Sequence, residues 1–173
     1  MIYCESHEDA ICAVKEALQF TKKGNVLVEE FIEGREYSVE GIHYNGEPHV
    51  IQFTEKTTTN FPYNVEIAHI QPADISIQQQ NEIKILIAQI AETLGFENCA
   101  SHTEIKINSR GIFIIETSPR LGGDFISSTL VPLSTGFNME EALINISTKS
   151  NELSNELQIC FHKFVEILIK ASS

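Results

Sequence analysis

Two runs rich in β-branched and aromatic residues, 102–108 and 112–117, flank Ser109-Arg110-Gly111, and a chain of this kind can hardly avoid a hairpin there. With Ser109-Arg110-Gly111 as a three-residue turn and Gly111 in the left-handed position, Ile105 pairs with Ile115 and Ile107 with Phe113. Those four side chains then share one buried face, because residues paired across a ladder point the same way. The same register sets Glu104 opposite Glu116 on the other face, whereas an even-numbered turn separates the glutamates and mixes the apolar set. Two facing carboxylates repel and call for a cation. Hard oxygen ligands suit Mg²⁺, which keeps several waters and bridges carboxylates to phosphates. Two solvated glutamates on an exposed sheet face explain the pairing equally well when it is taken alone.

The rest of the composition narrows the partners. A formal charge of −12 over 173 residues argues against nucleic acid, whose phosphates need a basic surface. No apolar run approaches the roughly 20 residues that cross a bilayer, and the N-terminus carries no secretory pattern. Cys4, Cys12, Cys99 and Cys160 follow no metal-ligand or disulfide spacing, so reduced thiols in a cytoplasm are expected. A hydrophobic share of 42% fits one soluble globular domain with a real core.

Along the chain, Ser6 with Asp9 reads as a helix start, and Ala10, Val14, Ala17 and Leu18 follow at helical spacing before Gly24. Strands are expected over 26–32, 37–43 and 49–54, the last two joined by the Asn45-Gly46 turn. Residues 55–72, polar and threonine-rich, read as a long loop. Residues 78–94 form the clearest helix, with Ile83, Leu86, Ile87, Ile90 and Leu94 as its stripe and Gly95 behind. A Pro/Gly-rich loop over 118–124 and a helix from about Asn138 to Ile146 follow; 157–169 is apolar and of open type. Strands in blocks and helices in blocks indicate an α+β fold with a mostly antiparallel sheet.

Glu116-Thr117-Ser118-Pro119-Arg120-Leu121-Gly122-Gly123 resembles the metal-and-substrate segment of the ATP-grasp superfamily, Glu-x-Asn-Pro-Arg followed by glycines. The segment 26–40, with Glu29-Glu30-Phe31-Ile32 and Gly34-Arg35-Glu36, is similar to that family's adenine and ribose strand. Thr54-Glu55-Lys56 and His69-Ile70-Gln71-Pro72 are similar to its carboxylate–amine ligase branch. The resemblance spans residues 1 to about 150, its four motifs in order.

It implies an ATP-dependent ligase that activates a carboxylate as an acyl phosphate for attack by an amine, with ATP and Mg²⁺ (or Mn²⁺) as cofactors. Glu29, Glu30, Phe31 and Ile32 would meet adenine, and Glu36 the ribose. Glu104 and Glu116 would hold the metal, with Ser118 beside them. Arg120 and His69 would stabilise the reacting centre, Lys56 would meet phosphates or the substrate carboxylate, and Gly122 and Gly123 would let the backbone approach the acyl group. Ser118 stands where the family has Asn, which puts a second metal site in doubt. Residues 1–25 would end the first subdomain, 26–150 form the core and 151–173 extend it. The family's glycine-rich loop and phosphate-clamping lysines lie upstream of the matched region. The chain is therefore expected to be truncated on its N-terminal side, a partial ATP-grasp domain whose partners are a small carboxylate, a small amine and the missing part of the same enzyme. Self-association into a homo-oligomer is expected. Two other readings stand beside this one: a carboxylase of the biotin or purine-pathway type, and a non-catalytic binding domain on the same fold.

Overall fold

The computed structural model describes residues 2–59 and 65–148. Five strands form one antiparallel sheet in the order β3-β2-β1-β4-β5. They are β1 (Arg35–Tyr44), β2 (Glu47–Thr58), β3 (Glu66–Ile70), β4 (Cys99–Asn108) and β5 (Gly111–Ser118). The helices are α1 (His7–Ala17), α2 (Ile77–Leu94), α3 (Val131–Thr135) and α4 (Met139–Thr148), with a π-helical turn at Ile126–Leu130. The α+β antiparallel architecture is the expected one.

Alternation along the central strands gives the sheet two unlike faces. On β1, Tyr37 and Val39 point to one side and Glu36, Ser38 and Glu40 to the other. On β4, Ile105 and Ile107 oppose His102, Glu104 and Lys106. The apolar side packs on α2 through Tyr37, Val39, Phe53, Ile83, Ile87 and Ile105. Ser76 starts α2 with a capping box closed by Gln79, and Gly95 ends it at φ 70°. Of the expected stripe, Leu94 at the helix end is exposed, while Ala91 is buried.

A bulge between Glu40 and Gly41 lets Ile51 join the polar side's far end. There the face turns apolar. Ile42, Ile51 and Ala100 pack against Ile126, Val131, Phe137, Met139, Ala142 and Ile146 from the π-helical turn, α3 and α4. The polar half of this face borders directly on a well-packed second core.

Several expectations need correction. Residues 26–32 form no strand: Leu27 is 79% and Val28 67% exposed, and a β-prone run without a ladder partner gains nothing from its propensity. Within the polar stretch 55–72, expected as a loop, residues 55–58 continue β2 and residues 66–70 form β3, which pairs with it, Lys56 lying opposite His69. The hairpin turn has two residues, 109–110, with Asn108 paired to Gly111. Ile105 therefore faces Ile114 and Ile107 faces Ile112, not Ile115 and Phe113. Ile115 is squeezed out as a bulge, 41% exposed, and that extra residue restores Glu104 opposite Glu116. Ser6 caps α1 with Asp9, Asn138 caps α4 through the Glu141 N–H, and Asn45 and Gly46 turn at positive φ, all as read from the sequence. The apolar stretch 157–169 and the proposed extension 151–173 lie outside the described residues.

Candidate active site

Three parallel rows of side chains cross the polar face. One row runs His69, Lys56, Glu36 and Lys106 over β3, β2, β1 and β4. The next runs Thr54, Ser38, Glu104 and Glu116, and the third Gln52, Glu40, His102 and Ser118. Adjacent strands supply alternate residues, so carboxylates, imidazoles and ammonium groups distant in sequence meet within a few ångströms.

Glu104 is the hub. Lys56 Nζ, almost fully buried, donates to Glu104 Oε1 at 2.7 Å and to Glu66 Oε1 at 2.5 Å. His102 Nε2 lies 3.6 Å from Glu104 Oε1. The positive His102 imidazole, opposed by burial and reinforced by Lys56, pulls the Glu104 carboxyl down to about 2. Burial works against a charged His102, yet Glu104 and Glu40 overcome it and raise its pKa to about 9. Glu116 faces Glu104 in the ladder and takes a weak hydrogen bond from Ser118 Oγ at 3.4 Å.

The loop after β5 folds over this face. Arg120 is exposed, its Nη1 donating to the Leu121 carbonyl at 2.9 Å. Gly122 lies so near the sheet that a Cβ would stand 2.6 Å from Glu40 Oε2 and 2.9 Å from His102 Nδ1, while Gly123 faces open space. Asp124 brings its carboxylate to Glu66 and His69, the three ligand atoms within 4.8 Å of one another. His69 Nε2 is 3.4 Å from Glu66 Oε2, and its Nδ1 is buried without a hydrogen-bond partner. Thus Lys56, His69, Glu104, Glu116, Ser118 and the 120–124 loop converge on one face.

The residues suggested for adenine and ribose form a second group nearer the hairpin tip. Lys106 pairs with Glu36 at 3.0 Å and lies 5.2 Å over the Phe31 ring, which meets Tyr3 edge-on. Glu30 pairs with Arg110 at 2.9 Å. Glu29 is exposed and Ile32 half-buried. The recess here is lined by Phe31, Gly34, Asn108 and Arg110, beside the carboxylate pair rather than over it.

Residues 5–129 match the family model of the ATP-grasp domain. The chain belongs to the ATP-grasp family. Among curated ATP-grasp relatives, alanine–anticapsin ligase of Bacillus amyloliquefaciens is 35% identical over 112 residues, 56% of this chain and 23% of that protein. Carnosine synthase 1 of Mus musculus is 23% identical over 62% of this chain and 13% of its own length. Among solved structures, an L-amino acid ligase from Bacillus licheniformis superposes with a TM-score of 0.72 at 25% identity, over 84% of this chain and 36% of that one. The same fold recurs in a biotin carboxylase from Campylobacter jejuni, TM-score 0.70 at 17% identity, over 86% and 33%. The chain therefore spans 23% and 13% of the lengths of these two curated relatives and about a third of these two solved ones. None of its described helices is long and apolar enough to cross a membrane.

Sequence reading missed Glu40, His102 and Glu66. The signal for the first two was present in the alternations Glu36-x-Ser38-x-Glu40 and His102-x-Glu104-x-Lys106, each a polar strand face.

Proposed function

We propose that this chain forms the nucleotide- and metal-binding part of an ATP-dependent ligase that activates an amino-acid carboxylate as an acyl phosphate for attack by an amine. The observation that carries the reading is Glu104 facing Glu116 on a sheet face that also holds Lys56, His69 and the Arg120 loop. Two facing carboxylates, one already paired with a lysine ammonium, form a donor set that suits a hard divalent cation. Glu104 and Glu116 would hold Mg²⁺ or Mn²⁺, with the Ser118 hydroxyl beside them; the ion's chemistry there is to neutralise phosphate charge during phosphoryl transfer.

The protein's own groups do the rest. Lys56, released from Glu104, presents its ammonium to phosphate or to the substrate carboxylate. Arg120 leaves the Leu121 carbonyl to meet the oxyanion that develops as the amine attacks, a task its permanently charged fork suits. His69 supports that oxyanion from β3. Gly123, where a Cβ would meet open space, admits the acyl group close to the backbone, whereas the bare side of Gly122 is taken up by the sheet beneath it. Phe31 and the backbone of 29–32 receive adenine, and Glu36 turns from Lys106 to the ribose hydroxyls. Catalysis also requires the phosphate-clamping part of the enzyme, in keeping with relatives several times longer than the matched region.

The carboxylase alternative rests on fold likeness alone, whereas the 35% relative is by name an alanine–anticapsin ligase and the 25% structural neighbour an L-amino acid ligase. Screening the complete enzyme for ADP release across pairs of amino acids tests the proposal. Amino-acid-dependent ADP release is expected. Release driven by bicarbonate and not by any amino-acid pair would replace the reading with a carboxylase.

A further inference from the structure

We propose that the buried Glu40–His102 pair is a positioning device that sets the Glu104 carboxylate and the Gly122 loop in register with each other. The inference rests on the reading of Glu104 as a metal ligand given above.

Glu40 has no solvent exposure in the middle of β1. A carboxylate there is costly unless its oxygens are filled, and apolar residues of similar size would be cheaper. Two residues along the same face, Ile42 is the apolar solution, packed against α4 and its neighbours. The oxygens of Glu40 are filled: Ser38 Oγ donates at 3.0 Å, His102 Nδ1 at 2.7 Å and Ser127 Oγ at 3.4 Å.

Each partner leads to a different part of the site. Through His102 the line runs to the metal end. With Nδ1 held by Glu40, the ring turns its Nε2 edge toward Glu104 Oε1, 3.6 Å away, and groups behind a ligating carboxylate fix its direction and basicity. Through Ser127 the line runs to the loop. Ser127 Oγ accepts the Gly122 N–H at 2.8 Å, and the missing Cβ of Gly122 lets the backbone rest on the Glu40–His102 pair itself. Arg120 lies two residues before this seat. Glu40 and His102 touch neither reacting group. They hold the segments that do.

The two arms separate by substitution. His102→Asn keeps an amide where Nδ1 meets Glu40 and removes the edge facing Glu104; His102→Gln keeps a donor near Glu104 and gives up the fixed ring. Gly122→Ala pushes the loop off its seat without altering a charge. Mn²⁺ binding to the 173-residue chain, read by electron paramagnetic resonance, should weaken by ~10–100-fold in His102→Asn, with partial recovery in His102→Gln. In the complete enzyme the Mg²⁺ concentration for half-maximal ADP release should rise by a similar factor. Gly122→Ala should bind Mn²⁺ normally, lower kcat, and speed amide hydrogen exchange over 120–127. Glu104→Ala serves as the control. If it abolishes Mn²⁺ binding while His102→Asn and Gly122→Ala behave as wild type, the positioning role is overturned and the metal reading stands. If Glu104→Ala binds Mn²⁺ like wild type, the metal reading fails and this inference with it. Should His102→Asn fail to fold, Gly122→Ala decides, and an unchanged kcat with unchanged exchange overturns the proposal.

Discussion

The Lys56 ammonium reaches past β1 to the Glu104 carboxylate, 2.7 Å away, and takes a cation's place on one half of the facing glutamate pair. A metal ion and this lysine compete for the same oxygen. Lys56→Met, which keeps the buried stem and removes the charge, should raise the Mn²⁺ affinity of the chain severalfold while lowering ADP release in the complete enzyme. Weaker Mn²⁺ binding in calorimetry would mean that the lysine organises the site and does not compete for it.

Stability of the metal-free chain should depend on pH in two separate windows. The Glu104 pKa is depressed from 4.5 to about 2, so its contribution is present above pH 4.5 and fades as pH falls toward 2. The His102 pKa is raised from 6.5 to about 9, so its contribution is complete below pH 6.5 and disappears as pH climbs through 9. Urea midpoints measured from pH 3 to 10 should form a plateau between about 4.5 and 6.5. His102→Asn should flatten the alkaline side, and an unaltered alkaline limb in that variant would assign the loss elsewhere.

Arg120→Ala should cut ligation in the complete enzyme by ~100-fold, the usual scale for losing an oxyanion partner. His69→Ala should act in the same direction. Near-wild-type ADP release with the acid substrate in both variants would show that other groups stabilise the reacting centre.

The apolar side offers a test free of catalysis. Ile83 is fully buried between α2 and the sheet, so Ile83→Ala should cost about 2–5 kcal/mol. Chemical denaturation reads this directly, and a loss under 1 kcal/mol would mean that the helix does not pack on Tyr37, Val39 and Ile105 as described.

Much of the fold was legible because its signals are local. Ser6, Asn45-Gly46, the α2 stripe and Asn138 each act within a few residues of themselves. The hairpin shows the limit. Apolar alternation put Glu104 opposite Glu116 through a three-residue turn, whereas a two-residue turn and a bulge at Ile115 reach the same pairing. β3 stayed hidden because its partner is the polar end of β2, Thr54-Glu55-Lys56-Thr57-Thr58, which has no apolar side chains to show the alternation of a half-buried strand. Glu40 and His102 lie 62 residues apart, and only the adjacency of β1 and β4 brings them together. The contacts that join different strands at the candidate site, Lys56 with Glu104 and Glu40 with His102, are long-range, which is why residue types were readable while these connections were not.

The bulge at Ile115 works as a phase shifter. Between the tip and Ile105 the paired residue numbers keep one constant sum, and from Glu104 onward they keep another, larger by one. The tip and the carboxylate pair are thus counted from different origins. A shortened hairpin lacking Ile115 would present the same two glutamates to each other, since the tip's ladder would simply run into theirs. Were the bulge instead straightened with no residue removed, Ile115 would face Glu104 and Glu116 would turn to the opposite side of the sheet. The length of this arm is free to vary by one residue, but its parity at the carboxylates is not.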